Sequence, residues 1–312
     1  MLNNAGRLSA NYFSLRTQTK PKLMMKTGIC CTFGDYFVDK IVKLRDSVSD
    51  TLRLLSASVD SHLSFPPHHG LVLDMSFPVT AAEITRVLSS SPAKSSTMDI
   101  IPTSLLLRCK DVFSEIIAHL ANLFFVEGNF RTLFKRALVT PLIKGQSLDK
   151  SVPFNYTPIS NLNFVSKILE RLFLSRFQPH ILTSSNFSKY QSAYRPGCST
   201  ETALQLLLDN IYSTADDGRP TLLVSLDFSA AFDTNDHAVL HKCLNCSFGI
   251  LGTVYSWLQS YLTGRTQSVR TVHSLISCYS ISSQCSPRLC PLAATFFHLH
   301  FTCFYYCSVS AR

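Results

Sequence analysis

Thr221-Leu-Leu-Val-Ser-Leu226-Asp227-Phe-Ser-Ala-Ala-Phe232-Asp233-Thr-Asn-Asp236-His237 is the stretch on which the reading of this chain turns. Residues 221–226 form a near-continuous apolar run launched by the turn Asp217-Gly218-Arg219-Pro220, the pattern of a strand buried on both faces. The run ends in Asp227. A buried strand fixes a carboxylate in space, and a hard oxygen ligand suits Mg²⁺. A lone Asp after an apolar run is also an ordinary helix cap or surface turn. The surroundings therefore have to decide.

Outward from that stretch the chain is mostly helical in pattern. Phe37, Ile41, Leu44, Val48, Leu52 and Leu55 recur near a 3.6-residue period, predicting an amphipathic helix over residues 36–59. Pro66-Pro67-His68-His69-Gly70 breaks it and reads as a linker. Thr80-Ala-Ala-Glu83 has capping-box spacing before Ile84, Val87 and Leu88. Leu106, Val112, Ile116, Ile117, Leu120 and Leu123 predict a second long helix over residues 105–125. Residues 138–143 are strand-like, with Pro141 suggesting an edge or an early stop. Further helices are expected over residues 164–177, with Lys167, Arg171 and Arg176 on the polar side, and over 200–212.

Residues 226–237 resemble motif A of the reverse transcriptases of non-LTR (LINE-type) retrotransposons, where the pattern is close to LDLSAAFDTVDH. Five further segments agree in order. Ser89 to Pro102 resembles the segment before the family's fingers, and Leu138-Val-Thr-Pro-Leu-Ile-Lys144 its next strand. Asn155-Tyr-Thr157-Pro-Ile-Ser-Asn-Leu162 and Gln191-Ser-Ala-Tyr-Arg195-Pro-Gly-Cys-Ser-Thr-Glu-Thr-Ala-Leu204 resemble two fingers motifs, NYRPISNL and QSAFRPGHSTETAL. Trp257-Leu-Gln-Ser-Tyr-Leu-Thr-Gly-Arg265-Thr-Gln continues the likeness after motif A.

The resemblance implies an α/β (α+β) right-hand polymerase fragment, with helical fingers and an incomplete antiparallel palm sheet. It divides the chain into a basic arm and helical linker region over residues 1–90, fingers and partial palm over 91–272, and a tail over 273–312. It implies a transposable-element RNA-directed DNA polymerase, a nucleotidyltransferase that pairs an RNA template and DNA primer with dNTP. Asp227 would hold both Mg²⁺ ions in a two-metal transfer. Phe232 matches the position beneath the incoming sugar. Arg195 and Lys144 match positions expected near template or nucleotide phosphate. Strand alternation would turn Asp233 away from the metals.

Two departures argue against activity. Thr157 stands where the family has Arg, and a hydroxyl cannot make a bidentate contact to triphosphate. Polymerisation also needs a further carboxylate after motif A, and none of the 76 residues beyond Asp236 is acidic. The tail offers a reason. Codons compatible with the residues from Cys285 to Phe301, read one base out of step, permit VPQGSVLWPLLFSIYI, nearly the family's next motif, VPQGSVLGPLLFSIYI. A frame break between about Thr271 and Cys285 is therefore expected.

Composition fits this picture. The chain has 312 residues and carries 29 Lys plus Arg against 20 Asp plus Glu, a net +9, with only 16% of residues charged. At 46% hydrophobic it can bury a core, which excludes wholesale disorder. The positive balance permits a second class of reading, a non-catalytic RNA- or DNA-binding protein. Seven of the 11 cysteines lie at or after Cys243, and the odd count does not describe a disulfide scaffold. Cys243-Leu-Asn-Cys246 has zinc-knuckle spacing without a second pair, so free thiols are expected there. The acid-free start resembles a transit peptide but is read as a disordered basic arm. Ala293 to Val309 is a poor membrane span, so neither secretion nor a membrane anchor is expected. The family resemblance places the protein in nucleus or cytoplasm and leaves its oligomeric state open.

Overall fold

A computed structural model describes residues 26–54, 65–74, 78–93, 96–193, 195–224, 236–271 and 274–280. The chain has a mixed α/β fold: a helical core and, beside it, a small sheet covered by the first helix. Helix α1 spans Lys26–Leu54, α2 Ala81–Ser89, α3 Thr103–Arg108, α4 Lys110–Val126, α5 Phe164–Thr183, α6 Thr200–Asp216, α7 His237–Phe248 and α8 Gly252–Leu262. The strands are β1 (Arg136–Ile143), β2 (Tyr156–Leu162), β3 (Thr266–Thr271) and β4 (Ser274–Ser280).

The sheet order is β2-β1-β3-β4. Two of its pairings are antiparallel as expected, β1 with β2 and β3 with β4, whereas β1 and β3 run parallel. The parallel pairing follows from connectivity, because the long helical excursion from α5 to α8 separates β1 from β3 and permits a crossover. β3 pairs with β1 only over Arg136 to Val139. Pro141 therefore sits where β1 has a neighbour on one side alone, opposite Pro158 of the edge strand β2. Each proline withholds its missing N–H from a position that can do without it. Phe33 and Phe37 of α1 pack on Val139 and Val269, with Phe33 edge-on to Tyr156 at 4.7 Å.

The main core gathers α2, α4, α5, α7 and α8. Trp257 is its centre: it stacks on Phe173 at 4.0 Å and on Tyr261 at 5.4 Å, with Phe125 and Phe130 edge-on. Alternating stacked and edge-on rings suit the aromatic quadrupole. At one edge of this core, the Arg176 guanidinium grips the Glu83 carboxylate and the Pro78 carbonyl. The hydrogen bond from Arg176 holds Glu83 below the usual carboxylate range.

Several expectations change in detail. The helix expected over residues 105–125 is two helices, broken at Cys109 (φ −107°, ψ 36°), and Val112, Ile116 and Leu123 face outward while Leu106 and Ile117 are buried. The long pattern mixed two faces because α3 and α4 do not share an axis. Thr80 accepts from the Glu83 amide at 3.3 Å, but the Glu83 carboxylate turns to Arg176, so only half of a capping box forms. The segment read as a linker is tied down: His68 N–H donates to Cys246 O at 2.9 Å, and Asn186 Nδ2 to Pro67 O at 3.1 Å. Leu73 then bridges Ile250, and Gly249 ends α7 at φ 61° with His68 against it.

Candidate nucleotide and template site

The fingers-like motifs are built around the β1–β2 hairpin. Asn155, the first motif residue, donates from Nδ2 to Asp149 O at 2.9 Å, and Tyr156 donates its hydroxyl to Lys150 O at 3.0 Å. These bonds close the loop so that β2 enters the ladder in register, with Thr157 opposite Leu142. Lys144 lies just past β1. Its backbone N–H reaches Asn155 O, and its exposed ammonium donates to Phe154 O at 2.8 Å while standing 4.5 Å over the Phe154 ring.

Arg195 opens the turn before α6. Its guanidinium donates to Lys189 O at 3.2 Å and lies 6.0 Å from the Phe187 ring. Lys144 and Arg195 are thus each satisfied locally, and neither hydrogen bonds to the other. The Ser199 hydroxyl and Thr202 cap α6 reciprocally, which starts the helix directly after the motif's turn.

Asp227, Phe232 and Asp233 lie outside the described residues. Of the expected buried strand, Thr221 to Val224 are described, and they are neither strand nor buried: Leu222 is 87% exposed and Val224 65%. A strand buried on both faces needs a neighbouring strand and a layer on each side. The described sheet supplies none beside these four residues. Asp236 is placed, and its Oδ1 accepts from the Ala238 and Val239 amides at 2.7 and 3.1 Å, capping α7.

Among the described residues the donors do not assemble a two-metal centre. Asp236 is engaged as a helix cap, no acid follows it, and among the described residues no three His, Cys, Asp or Glu side chains come together. Cys243 does not behave as expected of a free thiol, because it is disulfide-bonded, while Cys246 is free and exposed; the pair is no zinc knuckle.

The residues missed in the sequence are those that other motif residues exist to place. Asp99 accepts from the amides of Ser96 (2.8 Å) and Phe164 (2.7 Å) and from the Thr103 hydroxyl (3.1 Å), tying the Ser-rich segment, α3 and α5 into one joint. Its place before Ile100-Ile-Pro102 in a likeness segment was the available signal. Lys135 and Arg265 are buried beside one another at the starts of β1 and β3. Burial and the charge of Arg265 push the Lys135 ammonium down to about 8. Nothing in a lone Lys before a strand announces this, although Arg265 stands in the Trp257 to Gln267 likeness.

Residues 148–295 match the family model described as reverse transcriptase (RNA-dependent DNA polymerase). Over this stretch, a little under half of the chain, the sequence is similar to reverse transcriptases. The chain is 27% identical over 206 residues to a probable RNA-directed DNA polymerase from transposon BS of Drosophila melanogaster, covering 63% of this chain and 22% of that protein. It is 31% identical over 125 residues to a probable RNA-directed DNA polymerase from transposon X-element of the same species, covering 40% of this chain and 13% of that one. The chain thus spans less than a quarter of either relative. Within the matched stretch lie β2, α5, the capped helices α6 and α7, α8, β3 and β4. No helix among the described residues is long and apolar enough to cross a membrane.

Proposed function

We propose that the chain is a remnant of a retrotransposon reverse transcriptase, with fingers and partial palm over residues 91–272, that no longer polymerises. RNA template, DNA primer and dNTP are its ancestral partners, with Asp227 the surviving metal position, Phe232 the sugar-facing position, and Lys144 and Arg195 the phosphate-facing ones. The observation that favours loss of activity is that Asp236, beside the motif, spends its side chain on the N-terminus of α7. Thr157 on β2 adds to it, lacking the charge and the fork of the arginine the resemblance calls for. Among the described residues no cluster of donors could hold the pair of Mg²⁺ ions.

The frame hypothesis belongs to the same proposal. β4 pairs with β3 through Ser280, which favours a break after that residue and before Cys285. The family match itself continues to residue 295, across the stretch that the hypothesis assigns to another frame. Sequencing the coding DNA separates the two readings, and the break is refuted if no alternative frame there encodes the missing motif.

Primer extension on an RNA template with Mg²⁺ tests the proposal. Incorporation is expected to equal that of an Asp227→Ala control. Incorporation above the control overturns the remnant reading.

A further inference from the structure

Two cations are buried side by side where β1 and β3 begin. The parallel register pairs Arg136 with Thr266, which sets Lys135 next to Arg265, and these two are only 6% and 2% exposed. Lys135 Nζ reaches Ser260 Oγ at 3.3 Å. That hydroxyl oxygen already accepts from the Phe130 amide at 3.0 Å, and Asn129 Oδ1 lies 2.8 Å from it. Arg265 donates one NH1 hydrogen to Tyr261 O at 2.8 Å and stands 4.4 Å over the Tyr261 ring. Its Nε and NH2 have no acceptor.

Among the described residues no carboxylate forms an ion pair with either group. The side-chain ion pairs at Arg131, Arg176 and Arg219 involve neither Lys135 nor Arg265. The nearby Glu170 carboxylate takes the Tyr261 hydroxyl at 2.6 Å. Burying two like charges with no counter-charge is costly, and cores that retain such groups pair them. The open donors also have a shape. Nε and NH2 form one edge of the guanidinium, the fork that grips two oxygens of an oxyanion side by side. A neighbouring ammonium raises the charge to be matched to two, favouring a dianion over a carboxylate.

We propose that Lys135 and Arg265, both outside the Asp227 motif in sequence, form a binding site for a phosphate-class oxyanion, independent of the polymerase reading. Burial and Arg265 depress the Lys135 ammonium, and a bound dianion would favour its charged form.

The test follows the thermal unfolding midpoint of the full chain at constant ionic strength, titrating sodium phosphate against sodium acetate and sodium chloride. A ligand that binds only the folded state raises the midpoint with the logarithm of its concentration. The wild type is expected to respond to phosphate and not to acetate or chloride. Arg265→Lys, which keeps the charge and loses the fork, should weaken the apparent phosphate affinity at least tenfold, and Lys135→Met likewise. Arg136→Gln removes a neighbouring exposed cation and should leave the response unchanged.

A 12-nucleotide RNA supplies the second arm. Competition between phosphate and the RNA on the wild type assigns the site to a nucleic-acid backbone, whereas phosphate binding without RNA binding assigns it to free phosphate. An equal response to acetate, no response to phosphate, or a phosphate response that survives both site variants overturns the proposal. So does an Arg136→Gln loss as large as that of Arg265→Lys.

Discussion

The helical core around Trp257 and the arm formed by α6 with residues 217–224 are both made from amphipathic sequence, yet they end in opposite states. In the core, helices α2, α4, α5, α7 and α8 each give their apolar residues to a shared interior. Along α6 no residue is fully buried, and Leu204 and Leu208 remain 53% and 45% exposed. The arm is well capped at its start, so its helix is locally specified, but it has little to pack against. Capping decides where a helix begins; only a neighbour decides whether its apolar face is buried.

The comparison can be broken most directly at Trp257. Trp257→Ala should cost about 3–5 kcal/mol, because a large aromatic leaves a cavity its stacked neighbours cannot close. Denaturant unfolding measures it, and a cost under 1 kcal/mol would mean that the core is no tighter than the arm. Gly249→Ala is expected to cost about 1–2 kcal/mol, since a left-handed φ is unfavourable for Ala. The same Cβ would press on the His68 ring, so His68→Gly should recover part of the loss.

Arg176→Met should cost about 1–2 kcal/mol near neutral pH, a charged hydrogen bond at a partly buried site. Glu83 has a lowered folded pKa, so this contribution is complete above the ordinary carboxylate value of about 4.3 and is lost as pH falls through the folded value. The stability gap between wild type and Arg176→Met should therefore shrink below pH 4, and a constant gap down to pH 2 would refute the ion-pair origin. Smallest of all, Leu204→Ala and Leu208→Ala should each change stability by less than about 0.5 kcal/mol. Hydrogen exchange sharpens the same contrast: α6 amides should exchange by local opening, and those of α5 and α8 by near-global unfolding.

Legibility in the sequence divides along a related line. The starts of α2 and α6, the turn before α6 and the strand at residues 138–143 were readable because local chemistry sets them: a hydroxyl at the cap, Pro-Gly in the turn, apolar residues in the strand. The break at Cys109 was not, since the apolar period runs through it and only packing separates the faces of α3 and α4. For the candidate site, Lys144 and Arg195 were named from motifs, and the structure gives each a local partner rather than a common ligand pocket. The Lys135–Arg265 pair escaped because 130 positions separate its members and the parallel β1–β3 register alone unites them.

By itself the sequence determined the family likeness, the helical character of most of the chain and the absence of any acid after Asp236, because motif order and residue identity need no neighbours. Only the tertiary structure decided that the supposed linker at residues 66–70 is tied against the end of α7, that β1 and β3 run parallel, and that residues 221–224 of the motif-A approach lie exposed. Those outcomes depend on which surfaces are available to pair. Hydrophobicity states what a segment would bury; the rest of the fold supplies, or fails to supply, the partner that buries it.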